Sequence, residues 1–129
     1  MYRSNSFTLL ETSLVLLVVS LFVVLGFSKT THPSQLERAV KTFDTFYNQA
    51  RTNNFLSGYD REIRFENNQL IYRNRHTNLP KGIHIDNSKL TLKSNGYVAP
   101  QTIIISDFQN QKTAKLIFSL GFGAYRVEK

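Results

Sequence analysis

The sequence predicts an α+β chain: an apolar, membrane-embedded helical run at the N-terminus, a further helical pattern after it, and a small antiparallel β-sheet domain laid on a helix. Three observations predict it. Residues 7–27 are dominated by Leu, Val and Phe and hold one charge, Glu11. Leu36, Val40, Phe43, Tyr47 and Ala50 recur at helical spacing. From Glu62 onward, short runs alternate apolar with polar residues, and turn signals separate them.

The apolar run comes first. As a helix, residues 7–27 span about 30 Å, the thickness of a bilayer's hydrocarbon core. Arg3 precedes the run and Lys29 follows it, a sparse flank compatible with the positive-inside rule. Three readings fit. As a cleaved secretory signal, the run has its hydrophobic core at residues 14–25, with small residues at Gly26 and Ser28 for the peptidase. As an ordinary one-span anchor, it carries Glu11 near the interface, where snorkelling reduces the cost. In the third reading Glu11 is needed. A carboxylate inside a membrane helix costs about 2.5–3.5 kcal/mol at mid-depth, and such groups usually have a partner.

A polar stretch, residues 28–33, leads to the second helical pattern. Ser34 and Glu37 form a capping box just after Pro33. Either a second amphipathic helix begins there, or one long helix runs on to about Asn54 with a bend near Pro33. Phe43, Phe46, Tyr47 and Phe55 give its apolar face bulk, and Glu37 and Lys41 stand at i, i+4 on the wet face.

The rest reads as six or so short strands. Ile63 and Phe65 share one side of the first, and Leu70 and Tyr72 match them after a turn at Asn67-Asn68-Gln69. Ile83 and Ile85 point inward, as do Leu90 and Leu92, and Asn95-Gly96 is a turn. Residues 102–108 form a central strand. Ala114, Leu116, Phe118 and Leu120 line one face of the next, and residues 121–129 supply a final strand with Gly121 and Gly123 at a bend.

Composition narrows the chemistry. The chain has 129 residues and a net charge of +7, all of it beyond the apolar run, where 15 basic residues face 8 acidic ones. A basic ectodomain attracts polyanions such as DNA, wall polymers or lipid headgroups. There is no cysteine, which excludes disulfides and thiolate metal sites. His32, His76 and His84 lie apart from one another and from acidic clusters, so metal-ligand spacing is absent. No nucleophile motif and no Gly-rich phosphate loop occurs. The reading is therefore no catalytic residue, no metal and no cofactor. Arg61, Arg64, Arg73, Arg75, Lys81, Lys89 and Lys93 cluster in mid-chain with Tyr59 and Tyr72, although Asp60, Glu62 and Glu66 intervene and Tyr72 reads as core. If DNA is touched, the contacts fall to Arg73, Arg75, Lys81, Lys89 and Lys93.

The segment Ser6-Phe7-Thr8-Leu9-Leu10-Glu11, followed by the unbroken apolar run, resembles the prepilin signal of type IV pilins and pseudopilins. That resemblance implies cleavage between Ser6 and Phe7 by a prepilin peptidase, and methylation of the new amine. Ser6 stands where the family usually has Gly, and the family's proline just past twenty mature residues is missing. The freed Phe7 amine would lie one helical turn from Glu11, so the two can pair within a subunit or between neighbours in a bundle. Desolvation takes back much of such a pair's energy, so its main effect is to set register between subunits. Leu79-Pro80-Lys81-Gly82-Ile83, Lys93-Ser94-Asn95-Gly96 and Leu120-Gly121-Phe122-Gly123 are more loosely similar to minor pseudopilin ectodomains, above all those of competence systems and their relatives in type II secretion.

The resemblance implies a pilin-like fold divided into a leader at 1–6, a transmembrane and assembly helix at 7–28, an amphipathic helix continuing the spine at 29–56 and a β-sheet domain at 57–129. It implies a structural subunit, not an enzyme, in a competence pilus that serves DNA uptake in transformation. The subunit would be single-pass in the cell membrane with its ectodomain outside, then part of a cell-surface filament. Partners would be other pseudopilins, major and minor, the prepilin peptidase, an assembly ATPase with its membrane platform, and DNA. The alternatives are a type II secretion pseudopilin and a membrane-anchored domain that binds DNA or a wall polymer.

Overall fold

A computed structural model describes residues 8–27, 32–86 and 89–129. The chain divides into two units, residues 1–32 and 33–129. In the first, helix α1 spans Leu9–Phe27. Its first turn closes on the Thr8 carbonyl, which accepts from the Glu11 and Thr12 N–H groups. The Leu, Val and Phe side chains described along it are all exposed within the chain, from 43% at Val18 to 88% at Leu9. The span Leu9–Gly26, with a mean hydropathy of 2.5, is long and apolar enough to cross a bilayer.

The second unit opens with α2, Gln35–Ser57. Ser34 is extended (φ −60, ψ 158), its hydroxyl accepts from the Glu37 N–H, and the Glu37 carboxylate accepts from the Ser34 N–H. This capping box gives α2 its own start, six residues after the expected 29–56 boundary, and Pro33 lies outside the helix. Gly58, at φ 71, ends α2 by donating its N–H to Asn54 O. The inward stripe is Leu36, Ala39, Phe43, Phe46, Tyr47, Ala50 and Asn54. Phe55, expected on that face, is 68% exposed. Asn54 takes the inward place because its amide donates to Leu92 O at 3.1 Å, tying the last turns of α2 to the sheet.

Eight strands follow among the described residues: β1 Arg61–Glu66, β2 Gln69–Tyr72, β3 Arg75–Asn78, β4 Ile83–Ile85, β5 Lys89–Leu92, β6 Gln101–Asp107, β7 Lys112–Phe118 and β8 Tyr125–Glu128. The expected single sheet is two antiparallel four-stranded sheets, ordered β3-β2-β1-β5 and β4-β6-β7-β8. Two departures from sequential pairing divide them. β4 pairs with β6, leaving β5 to pair with β1, so the chain crosses between sheets after β3, after β4 and again after β5. Asn67 and Asn68, both at positive φ, make the two-residue turn joining β1 to β2. β7 ends at Phe118, so Leu120, expected inward, is 83% exposed in the following bend.

α2 contacts strands of both sheets, and one apolar cluster joins all three layers. The α+β class is thus observed, with α2 as the helix that seals the core. Phe43, Tyr47, Phe118 and Tyr125 form its aromatic centre, with ring centroids 5.0–5.8 Å apart.

Asp107 is buried at the β6–β7 turn. Its oxygens accept from the Gln109 and Asn110 N–H groups and, at 2.8 Å, from the Asn110 amide. The Asn110 amide, followed by those backbone N–H groups, holds its carboxyl below the usual carboxylate range against the opposing pull of burial. At Asp60, the Ser94 N–H and then Lys93 act in the same direction. A depressed folded pKa means stability that is complete above the unfolded value and lost as pH falls through the folded one. The thermal midpoint is therefore expected to fall once pH drops below about 4. An Asp107→Asn variant should show a shallower fall. Equal slopes would remove Asp107 from the cause.

Candidate functional site

In α1, Glu11 occupies the first turn, where the partial positive charge of the helix N-terminus favours a carboxylate. The helix satisfies its hydroxyls internally: Thr12 donates to Leu9 O at 3.0 Å, Ser20 donates to Leu17 O at 2.8 Å, and Ser13 donates to Leu9 O. The Glu11 carboxylate makes no hydrogen bond or ion pair among the described residues. The processing positions Ser6 and Phe7 lie outside the described residues.

The basic residues named from sequence do not form one patch. Arg73 and Arg75 belong together on the β2–β3 hairpin, where Tyr72 pairs with Arg75 across a two-residue turn. Lys89 lies on β5, the opposite edge of that sheet and three strand spacings, or about 14 Å, from β3. It pairs with Glu62 at 3.1 Å. Lys93, just past β5, pairs with Asp60 at 3.0 Å, and Asp60 also accepts from the Ser94 N–H. Lys81 follows β3 near the opposite end of the sheet, where the Leu79 N–H donates to Asn68 O. Exposed pairs of this kind contribute about 0–1 kcal/mol, so they order the lysines more than they stabilise the fold.

At the end of α2 the hairpin forms one wall of a cleft of about 440 Å³. Asn53, Leu56 and Ser57 line it from the helix, and Tyr72, Arg73 and Arg75 from the hairpin. Tyr72 is 2% exposed, as its core reading requires, yet its hydroxyl is buried without a hydrogen-bond partner. Sequence reasoning missed that hydroxyl. The alternation on β2 shows that the ring points inward, but not that no acceptor awaits it.

Sequence reasoning also missed the clasp between α2 and the C-terminal strand. The Tyr47 hydroxyl donates to Gly123 O at 2.7 Å, Tyr125 donates to Asp44 at 2.6 Å, and Lys129 donates to Glu37 at 3.0 Å. Glu37 therefore pairs across 92 residues and not with Lys41, its expected i+4 partner. Burial, then the Asp44 carboxylate, pushes the Tyr125 hydroxyl well above the usual tyrosine range, so it remains a donor at ordinary pH. The three bonds fix β8 on the helix.

Among the described residues no group of three or more His, Cys, Asp or Glu converges to hold a metal. His76 lies on exposed β3, and the His84 ring lies 5.8 Å from that of Phe108. No family model, curated protein or solved structure matches this chain.

Proposed function

We propose that the chain is a minor pseudopilin: a single-pass structural subunit of a short pilus-like filament, pilin-like in fold, that serves DNA uptake in transformation. One observation carries the reading. An otherwise apolar, fully exposed helix holds a single carboxylate in its first turn, with no partner among the described residues. A carboxylate kept in that setting calls for a cation from elsewhere. The Phe7 amine freed by prepilin cleavage supplies one, on the same subunit or its neighbour. The second unit supports the reading by having its own closed core, so α1 is left for the membrane and then for packing with other subunits.

In this reading the prepilin peptidase trims the chain at Phe7, and an assembly ATPase with its membrane platform adds the subunit to other pseudopilins. The helices bundle in the filament centre and the ectodomains face outward. The assignment to transformation, as against type II secretion, rests on the sequence resemblance. Mass spectrometry of the mature amino terminus tests the processing step. The expected start is Phe7 with a methylated amine. A mature chain that begins at Lys29 has lost α1 and ends the proposal.

A further inference from the structure

The cleft between the last turn of α2 and the β2–β3 hairpin contains three features that the fold does not use. The first is the Tyr72 hydroxyl, buried and without a partner. Buried polar groups are nearly always hydrogen-bonded, so an orphaned hydroxyl on a residue that lines a cleft calls for a partner. The second is a pair of free guanidiniums. The Arg73 and Arg75 guanidiniums make no ion pair or hydrogen bond among the described residues, in contrast to the Lys89 and Lys93 ammonium groups, and no acidic side chain lines the cleft. The third is the backbone of Arg73, at φ 55, a left-handed conformation that Gly or Asn adopts more easily. A large cationic residue is held there at a conformational cost.

The arginines do not serve as caps for the helix. The end of α2 is closed by Gly58 N–H and the Ser57 hydroxyl, both of which donate to Asn54 O. Neither guanidinium reaches a helix carbonyl.

We propose that this cleft is an oxyanion site that takes one phosphate group, with the Arg73 and Arg75 guanidiniums and the Tyr72 hydroxyl as donors. Guanidinium forks match phosphate oxygens, and charge-assisted bonds of this type are the strong ones. Donors from three side chains suit a tetrahedral ion better than a planar carboxylate, which one fork satisfies. Asn53 and Asn74, also in the lining, add amides at the rim. The phosphate can be free or part of a phosphodiester chain. The site lies wholly within residues 33–129 and needs neither Glu11 nor a processed amine, so it stands apart from the filament reading.

The test is calorimetric titration of the full chain in nonionic detergent micelles, with inorganic phosphate and with a single-stranded oligonucleotide as the phosphodiester probe. Phosphate should bind saturably at one site. Arg73→Gly and Arg75→Gln should each weaken binding about tenfold, and Tyr72→Phe about threefold. Lys115→Gln, which removes an equal charge from an exposed position on β7, should leave binding unchanged. Arg73→Gly also relieves the backbone and Tyr72→Phe removes an unpaired hydroxyl, so their thermal midpoints should hold or rise while affinity falls. A purely structural role would lower the midpoints and spare affinity. If oligonucleotide binding falls in the same ratios and inorganic phosphate competes with it, the phosphate belongs to a chain. If only inorganic phosphate responds to the variants, the ligand is the free ion. Absence of saturable phosphate binding, or cleft variants that lose no more than Lys115→Gln, overturns the site.

Discussion

Replacing Gly123 by alanine is expected to destabilise the 33–129 unit by about 3 kcal/mol, a drop of about 15 °C in its thermal midpoint. Two costs add. Gly123 has φ 74, where an L residue loses about 1–2 kcal/mol. A methyl there would also overlap the Tyr47 hydroxyl and approach Val98 Cγ2 to 3.2 Å. Neither neighbour can yield easily. Tyr47 is 1% exposed, stacks on Phe43, and is held by its own hydrogen bond to Gly123 O. Overpacking of this kind costs about 1–3 kcal/mol. Gly96→Ala is the control: its φ is 84, but the added methyl meets nothing within 4 Å. That variant bears the backbone cost alone, about 1–2 kcal/mol. Denaturant unfolding of the two variants separates the effects, and equal losses would mean that the contact with Tyr47 is unimportant.

Much of this architecture was legible in the sequence, and the failures have specific physical causes. The α2 stripe, its capping box and the Asn67-Asn68 turn follow from local chemistry, which short segments carry in full. The last turn of α2 was misread because residue type was given more weight than spacing. Asn54 continues the 3.6-residue line through Tyr47 and Ala50, whereas Phe55 lies about 100° away from it. Strand β3 is Arg-His-Thr-Asn, an edge strand with no apolar face, so alternation could not reveal it. The second sheet depends on crossings after β3, β4 and β5, and these long-range pairings leave no local pattern in the residues. Lys89 and Lys93 looked like a basic cluster because their partners lie 27 and 33 residues away. Arg73 and Arg75 were named from charge alone. Their freedom from partners, and the unpaired hydroxyl of Tyr72 beside them, are tertiary facts.

Glu11 yields the second large effect, because the competing readings of α1 predict opposite signs. In a simple anchor the carboxylate is a burden. Glu11→Ala would then ease insertion by up to about 2.5–3.5 kcal/mol and leave surface display unchanged or higher. In a filament subunit the carboxylate is one half of a pair with the Phe7 amine. Removing it leaves a cation in low dielectric, a loss of about 3–5 kcal/mol when the surroundings are dry. Incorporation into polymer should fall at least tenfold even if water repays half of that. Glu11→Gln keeps the size and loses the charge, so it should fail as Glu11→Ala does. Glu11→Asp keeps the charge on a shorter stem and should retain part of the activity. None of these changes touches the 33–129 core, so unfolding of that unit should be identical in all four chains. The decisive comparison is polymer yield against the amount of subunit in the membrane. If Glu11→Ala reaches the membrane and enters filaments as the parent does, no cation answers this carboxylate and α1 is only a tether.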